Sequence, residues 1–138
     1  MNTHCPLCHE DGGEVVWRNH LARVVLADEP DYPGFCRVIL AKHQAEMTDL
    51  PLAEREALMA IVWAVEAAVR QTLNPDKINL ASLGNMVPHV HWHVIPRWQD
   101  DLHFPAPIWA TKPADRTRHQ PAAADLAALR QALEQLAP

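Results

Sequence analysis

The segment His89-Val90-His91-Trp92-His93-Val94-Ile95 sets three imidazoles at every second position, with large apolar residues between them. An extended strand sends alternate side chains to opposite faces and rises about 3.3 Å per residue, so the three rings line one side while Val90, Trp92 and Val94 take the other. Two chemistries use such a comb. Two or three imidazoles can bind a metal such as zinc or iron. Alternatively, one neutral imidazole attacks phosphorus while its neighbours orient it, bind phosphate oxygens or tune its protonation. The attacking ring needs an open nitrogen, and its other nitrogen needs an acceptor, often a backbone carbonyl, to fix the tautomer. The plainest reading of the same pattern is a polar sheet face with no chemistry.

A second group opens the chain. Cys5-Pro6-Leu7-Cys8 has the spacing of a metal knuckle, and its plain alternative is a pair of partly buried thiols. His4 and His9 flank it and could supply a ligand. Three cysteines suit no closed disulfide framework, and Cys36, inside an apolar run, reads as a small buried hydrophobe.

Several elements must position these residues. "EVVWRN" and "LARVVLAD" read as two strands of a hairpin joined through Asn19 and His20, "EPDYPG" as a turn, and "FCRVILA" as a third strand. From about Asp49 the period changes: Leu58, Ile61, Val62, Val65, Val69 and Leu73 recur at three- and four-residue steps, which predicts an amphipathic helix. Thr48 or Asp49 is its candidate cap, Pro51 sits in its opening turn, Asn74-Pro75 stops it, and Glu66 with Arg70 supports it. "KINLASL" and "HVHWHVIP" are two further strands, too close in sequence for a crossover helix and therefore antiparallel. The proline-rich stretch after Trp98 reads as a tail wrapped over a surface, since Trp98, Phe104 and Trp109 are costly to expose. Leu126, Leu129, Leu133 and Leu136 mark a short terminal helix. The order predicts an α+β fold: an antiparallel sheet of about five strands with one long helix and a short C-terminal helix.

At 138 residues and 49% hydrophobic content, the chain fits one domain over residues 1–138. A net charge of -5 gives no reason to expect a nucleic-acid polymer as partner, although a small nucleotide can bind a locally cationic pocket. No apolar run reaches membrane-spanning length, and "MNTHCPLCHE" lacks a basic region followed by an apolar stretch, so a cytoplasmic protein without a membrane partner is expected.

"PHVHWHVIPR", with "RVVLADEPDYPGFCRVILAKH" before the helix and "INLASLGNMVPHVHWHVIPRW" after it, resembles the histidine-triad (HIT) superfamily, above all its bacterial dinucleoside-polyphosphate-hydrolase-like branch. The resemblance spans about residues 5–98 and leaves the tail and helix of 99–138 outside. It implies a nucleotide hydrolase or nucleotidyl transferase acting on a phosphoanhydride or phosphoramidate at the α-phosphate, homodimeric, with no metal required at phosphorus. On this chain it implies that His91 attacks to form a covalent nucleotidyl-histidine, that His93 contacts phosphate oxygens, and that His89 holds the strand geometry or binds zinc. It also implies that Asp28 and Asn79 hold the nucleoside side and that Asn85 lies near the phosphates. By the same resemblance, His43 and His89 complete a structural zinc site with Cys5 and Cys8.

Each residue has a plainer role: Asp28 as a strand-end turn residue, Asn79 as a strand-edge residue, Asn85 with Gly84 as turn formers. Arg97 either neutralises phosphate charge or caps a solvated face, the latter being favoured. Phe35 departs from many relatives, which have a histidine there. Two rival functions stand beside the leading one: a metal-dependent hydrolase or oxygenase whose histidine trio holds the ion, and a non-catalytic nucleotide-binding module.

Overall fold

The residues between the histidines build the sheet's inner face. Val90 and Val94 are buried and Trp92 is partly buried against the same core, where they meet Val24 and Val38 of neighbouring strands and Leu58, Ile61 and Val65 of the long helix. Each fully buried aliphatic side chain in this layer contributes about 1.5–3 kcal/mol of transfer free energy. The computed structural model describes residues 3–138. Its strands are Glu14–Arg18 (β1), Ala22–Leu26 (β2), Cys36–Leu40 (β3), Lys77–Ala81 (β4) and His91–Arg97 (β5). They form one antiparallel sheet of order β1-β2-β3-β5-β4. Helices α1 (Pro6–His9), α2 (Leu52–Leu73) and α3 (Ala123–Glu134) complete the α+β arrangement. Leu129 and Leu133 anchor α3 in the core beside α2. None of the described helices is long and apolar enough to cross a membrane; Met1 and Asn2, with which the leader reading begins, lie outside the described residues.

Three local expectations are corrected. Thr48 and Asp49 do not cap α2: residues Met47–Asp49 form a separate 3-10 turn closed by a reciprocal Glu46–Asp49 capping box, and Pro51 itself caps the helix. Pro51 suits the place because it has no amide hydrogen to leave unpaired there. Glu66 and Arg70 form no ion pair; α2 is instead tied by Lys42 to Glu54 at 2.6 Å. The helix stops where expected, with Asn74 in the left-handed region at φ 48°. Finally, β5 begins at His91, so the first of the three histidines precedes the strand.

The sheet's other face carries the chemistry. Cross-strand register puts His91 opposite Ile39, and His93 between Arg37 of β3 and Ala81 of β4. Ile95 then lies opposite Asn79 and Arg97 opposite Lys77.

Beyond β5 the tail folds back over this face. Asp101 organises the turn by accepting the backbone N–H groups of Trp98 (3.1 Å), His103 (3.0 Å) and Phe104 (2.7 Å). Further on, His119 stacks on Trp98 with centroids 4.0 Å apart, and Arg118 donates to the carbonyl of Pro30.

Candidate active site

His91 has the tautomer that an attacking imidazole requires. Its Nδ1 lies 2.6 Å from the backbone carbonyl oxygen of His89. A carbonyl only accepts, so Nδ1 carries the proton and Nε2 keeps its lone pair. The ring borders a pocket of about 420 Å³ that it shares with His93, the turn of residues 83–87 and Trp109. Gly84 allows that turn, with φ at +77°.

His93 is buried beside it, ring centroids 5.0 Å apart, and wedged edge-on by Phe35 at 5.5 Å and Trp109 at 5.2 Å. Burial first, then the charges of His91 and Arg37, draw its pKa down to about 4. Its Nδ1 is buried and has no hydrogen-bond partner among the described residues. An orphaned lone pair is tolerated better than an orphaned N–H, so the proton sits on Nε2, which can donate to a phosphate oxygen.

The same burial gives a pH signature. The folded-state value lies below the ordinary 6.5, so the unfolded chain binds more protons in the interval between them. Stability contributed by the neutral ring is therefore complete above pH 6.5 and falls as pH drops towards about 4. Thermal melts of the wild type and of His93→Leu across that range measure it: the wild type loses more Tm than the variant, and parallel curves would refute the assignment.

The remaining sequence candidates separate. Asn85 borders the histidine pocket. Asp28 lies two residues past the end of β2, where it borders another cavity with Gly13, Glu14, Leu26 and Ala27. Asn79 is on the histidine face, on the outermost strand β4, and its Oδ1 accepts from Arg97 at 2.8 Å. Arg97 corrects both of its readings. It is 2% exposed, so it caps no solvated face, and its guanidinium is fully engaged: Nε and Nη2 pair with Asp101 at 2.8 and 3.2 Å, and Nη2 also donates to the Ala106 carbonyl at 2.7 Å. Phe35 packs against His93 where many relatives have a polar ring. Sequence reading missed two residues here. Trp109 is 53% exposed and forms a pocket wall rather than a buried anchor. Arg37 faces His93 from an otherwise apolar strand, and that lone charge in "FCRVIL" was the available signal.

His89 serves a different centre. Its Nε2–H donates to the Leu40 carbonyl at 2.7 Å, which leaves Nδ1 unprotonated and pointing into a cluster with Cys5, Cys8 and His43. Burial first lowers the pKa of this ring, as a neutral ligand requires. Nδ1 of His89 lies 3.4 Å from Cys5 Sγ, 3.6 Å from Cys8 Sγ and 3.2 Å from His43 Nδ1, and Cys8 Sγ lies 3.4 Å from His43 Nδ1. Tetrahedral zinc bonds of ordinary length imply sulfur–nitrogen separations of about 3.6 Å and nitrogen–nitrogen separations of about 3.3 Å. The four residues therefore fit a closed zinc site, with Leu40 fixing the tautomer of one ligand. His4 and His9 are not members of this four-residue cluster. Cys36, by contrast, is fully buried, and burial pushes its thiol up to about 12.

A five-stranded antiparallel sheet backed by one long helix, with a nucleophile-ready imidazole at the start of its fifth strand, defines a histidine-triad protein. The HIT domain family profile matches residues 9–100, and the chain belongs to that family. It is 29% identical over 116 residues to the AP-4-A phosphorylase of Mycobacterium tuberculosis, covering 80% of this chain and 60% of that protein. It is 28% identical over 96 residues to the asymmetrical bis(5'-nucleosyl)-tetraphosphatase of Schizosaccharomyces pombe, covering 66% and 53%. The chain thus spans little more than half the length of these curated relatives. A histidine-triad protein from Marinobacter aquaeolei superposes with a TM-score of 0.74 at 28% identity, covering 92% of this chain and 93% of that one.

Proposed function

We propose that this protein is a nucleotide hydrolase or nucleotidyl transferase that cleaves a phosphoanhydride or phosphoramidate at the α-phosphate, with a dinucleoside polyphosphate as the leading substrate. The observation that carries the proposal is the 2.6 Å contact from His91 Nδ1 to the His89 carbonyl, because it leaves Nε2 as the open nitrogen at the pocket. In the first step the Nε2 lone pair attacks the α-phosphorus, the bond to the leaving-group oxygen (nitrogen in a phosphoramidate) breaks, and the leaving group departs with the electron pair, an amine taking up a proton from solvent. The ring becomes cationic as the P–N bond forms. Its Nδ1–H bond to the carbonyl then becomes charge-assisted and strengthens, so the contact stabilises the transition state more than the ground state. His93 Nε2–H supports a phosphate oxygen. Water then attacks phosphorus and gives up its proton to solvent, the P–N bond breaks, and the lone pair returns to His91. Asn85 reaches the phosphates from the turn, while Asp28 and Asn79 are assigned to the nucleoside side.

Incubation with a panel of adenylated and guanylated compounds, followed by phosphorus NMR and a base-stable, acid-labile adduct on His91, tests this reading. An adduct at another residue, or turnover with none, would overturn the covalent route. A catalytic ion held jointly by the three histidines is disfavoured, because the His89 ring faces the cysteines and His91 Nδ1 is occupied. We also read the chain as a homodimer, a reading the exposed Trp63 on α2 supports.

We further propose structural zinc at Cys5, Cys8, His43 and His89. Zinc there would supply folding free energy and tie the N-terminal knuckle to the residue preceding β5. Metal analysis should find one zinc per chain. Chelation, or Cys8→Ser, should lower Tm by roughly 10 °C, and chelator should add nothing to the variant. A metal-free protein with an unchanged Tm would remove the site.

A further inference from the structure

The hydrolase reading leaves one requirement unmet. The imidazoles of His91 and His93 offer a phosphate no permanent positive charge, and among the described residues no lysine or arginine borders the histidine pocket. A cation from beside that lining must therefore reach the phosphate once it is bound, since phosphoryl and nucleotidyl transfer rely on electrostatic stabilisation of the phosphate oxygens.

Four arginines lie on the histidine face of the sheet: Arg18 on β1, Arg23 on β2, Arg37 on β3 and Arg97 on β5. Arg18 is on the edge strand farthest from His91 and faces Asp11 at 3.9 Å. Two of the others are saturated. Arg23 donates to the carbonyls of Asp11 (2.9 Å), Leu7 (3.0 Å) and Glu10 (2.9 Å), which holds the N-terminal segment down. Arg97 is enclosed by Asp101, Asn79 and the Ala106 carbonyl. Arg37 differs. It is part-buried, its guanidinium lies 5.0 Å from the centroid of the Phe35 ring, and among the described residues its acceptor is one carbonyl, that of Gly12, at 3.0 Å from Nη1. Glu29 acts on it at a distance without forming an ion pair. A guanidinium offers five N–H donors in a fixed fork matched to phosphate. Gly12 holds one edge of that fork, and its backbone explains the glycine: φ is +78°, in the left-handed region that side chains disfavour.

We propose that Arg37 is the phosphate-binding cation of this site, its guanidinium donating to non-bridging oxygens of the phosphate attacked by His91. The cross-strand register places it directly opposite His93, in the row next to His91. Stacking on Phe35 and the tether to Gly12 fix its plane before substrate arrives. The assignment also explains why aromatic Phe35 suits a position where many relatives have a polar ring: here it supports a cation instead of contacting phosphate. Arg37 thereby takes the charge-neutralising role that Arg97 cannot fill. The inference rests on the nucleotide reading, and binding measurements separate the two.

Calorimetry with AMP and with uncharged adenosine, on wild type, Arg37→Gln and Arg37→Lys, is the test. Arg37→Gln should weaken AMP by about 10- to 100-fold, the effect of losing a charged hydrogen-bonding partner, and leave adenosine within about threefold. Arg37→Lys should recover much of the AMP affinity, because charge survives while the fork does not. The salt dependence of AMP binding should flatten in Arg37→Gln. Equal losses for AMP and adenosine would place Arg37 on the base instead and overturn the proposal, as would unchanged AMP affinity in a folded Arg37→Gln. If Arg37→Gln fails to fold, Arg37→Lys decides: AMP affinity falling together with adenosine overturns the proposal, and a selective, modest AMP loss supports it. A wild type that binds AMP and cleaves no nucleotide removes the hydrolase reading while the Arg37 comparison still stands. A wild type that binds no AMP removes both.

Discussion

His91→Ala is expected to lower the turnover of a dinucleoside polyphosphate by on the order of 10⁴-fold or more, the scale seen when a covalent nucleophile is deleted. Nucleotide binding should persist within about threefold, because the nucleoside contacts and the proposed phosphate cation lie on other strands. His91→Asn makes the stricter comparison: it keeps a polar group of similar reach but offers no nucleophilic ring nitrogen. The two variants should be equally inactive, and neither should yield a trapped adduct. Single-turnover kinetics with calorimetry checks both halves, and a full rate in His91→Ala would rule out the nucleophile.

Asp101→Ala should cost about 3–5 kcal/mol, the effect of stranding a buried charge. Asp101 is 1% exposed and bridges the Arg97 guanidinium, three backbone N–H groups and, at 3.5 Å, the Tyr32 hydroxyl. Burial pushes its carboxyl up. Arg97 and the amides of His103, Trp98 and Phe104 outweigh that and hold it at about 2. The contribution is therefore complete above the ordinary carboxylate value of 3.8 and is lost as pH falls through about 2. Asp101→Asn keeps the shape and removes the charge, so it should fall between the alanine variant and wild type. Denaturant unfolding at pH 7 measures the loss. Asp101→Ala should also loosen the tail that carries Trp109, which would appear as faster amide exchange over residues 102–116. A loss below 1 kcal/mol would show that solvent reaches Arg97 and that the tail is held elsewhere.

The sheet was legible because alternation and helical periodicity are local. Val90, Trp92 and Val94 against His91 and His93 announce a two-sided strand, and the three- and four-residue steps from Leu58 to Leu73 announce the helix packed on it. What escaped was non-local. Arg97 looks like a surface charge until Asp101, four residues later, turns back to meet it. His89 looks like one tooth of a comb, but the chain bends before β5 and hands its ring to cysteines more than eighty residues away. Cys5 and Cys8 announce a metal knuckle by their own spacing, whereas His43 and His89 join them only through the family resemblance. Arg37 was overlooked because a single charge in an apolar strand usually marks a solvated edge, whereas β3 runs through the middle of this sheet.

The pocket's floor and its rim are made of different material. The floor stands on β5, braced between β3 and β4. The rim comes from the 83–87 turn and Trp109 of the returning tail, where Leu83 and Met86 face solvent. Under the proposed function, changes in leaving-group preference can therefore be sought at Leu83, Met86 and Trp109 without disturbing the sheet. Position 89, whose ring and carbonyl serve two centres at once, has almost no room to drift. A library diversified at the rim should remain folded and vary in preference, and one diversified at His89 should lose about as much Tm as the chelated wild type.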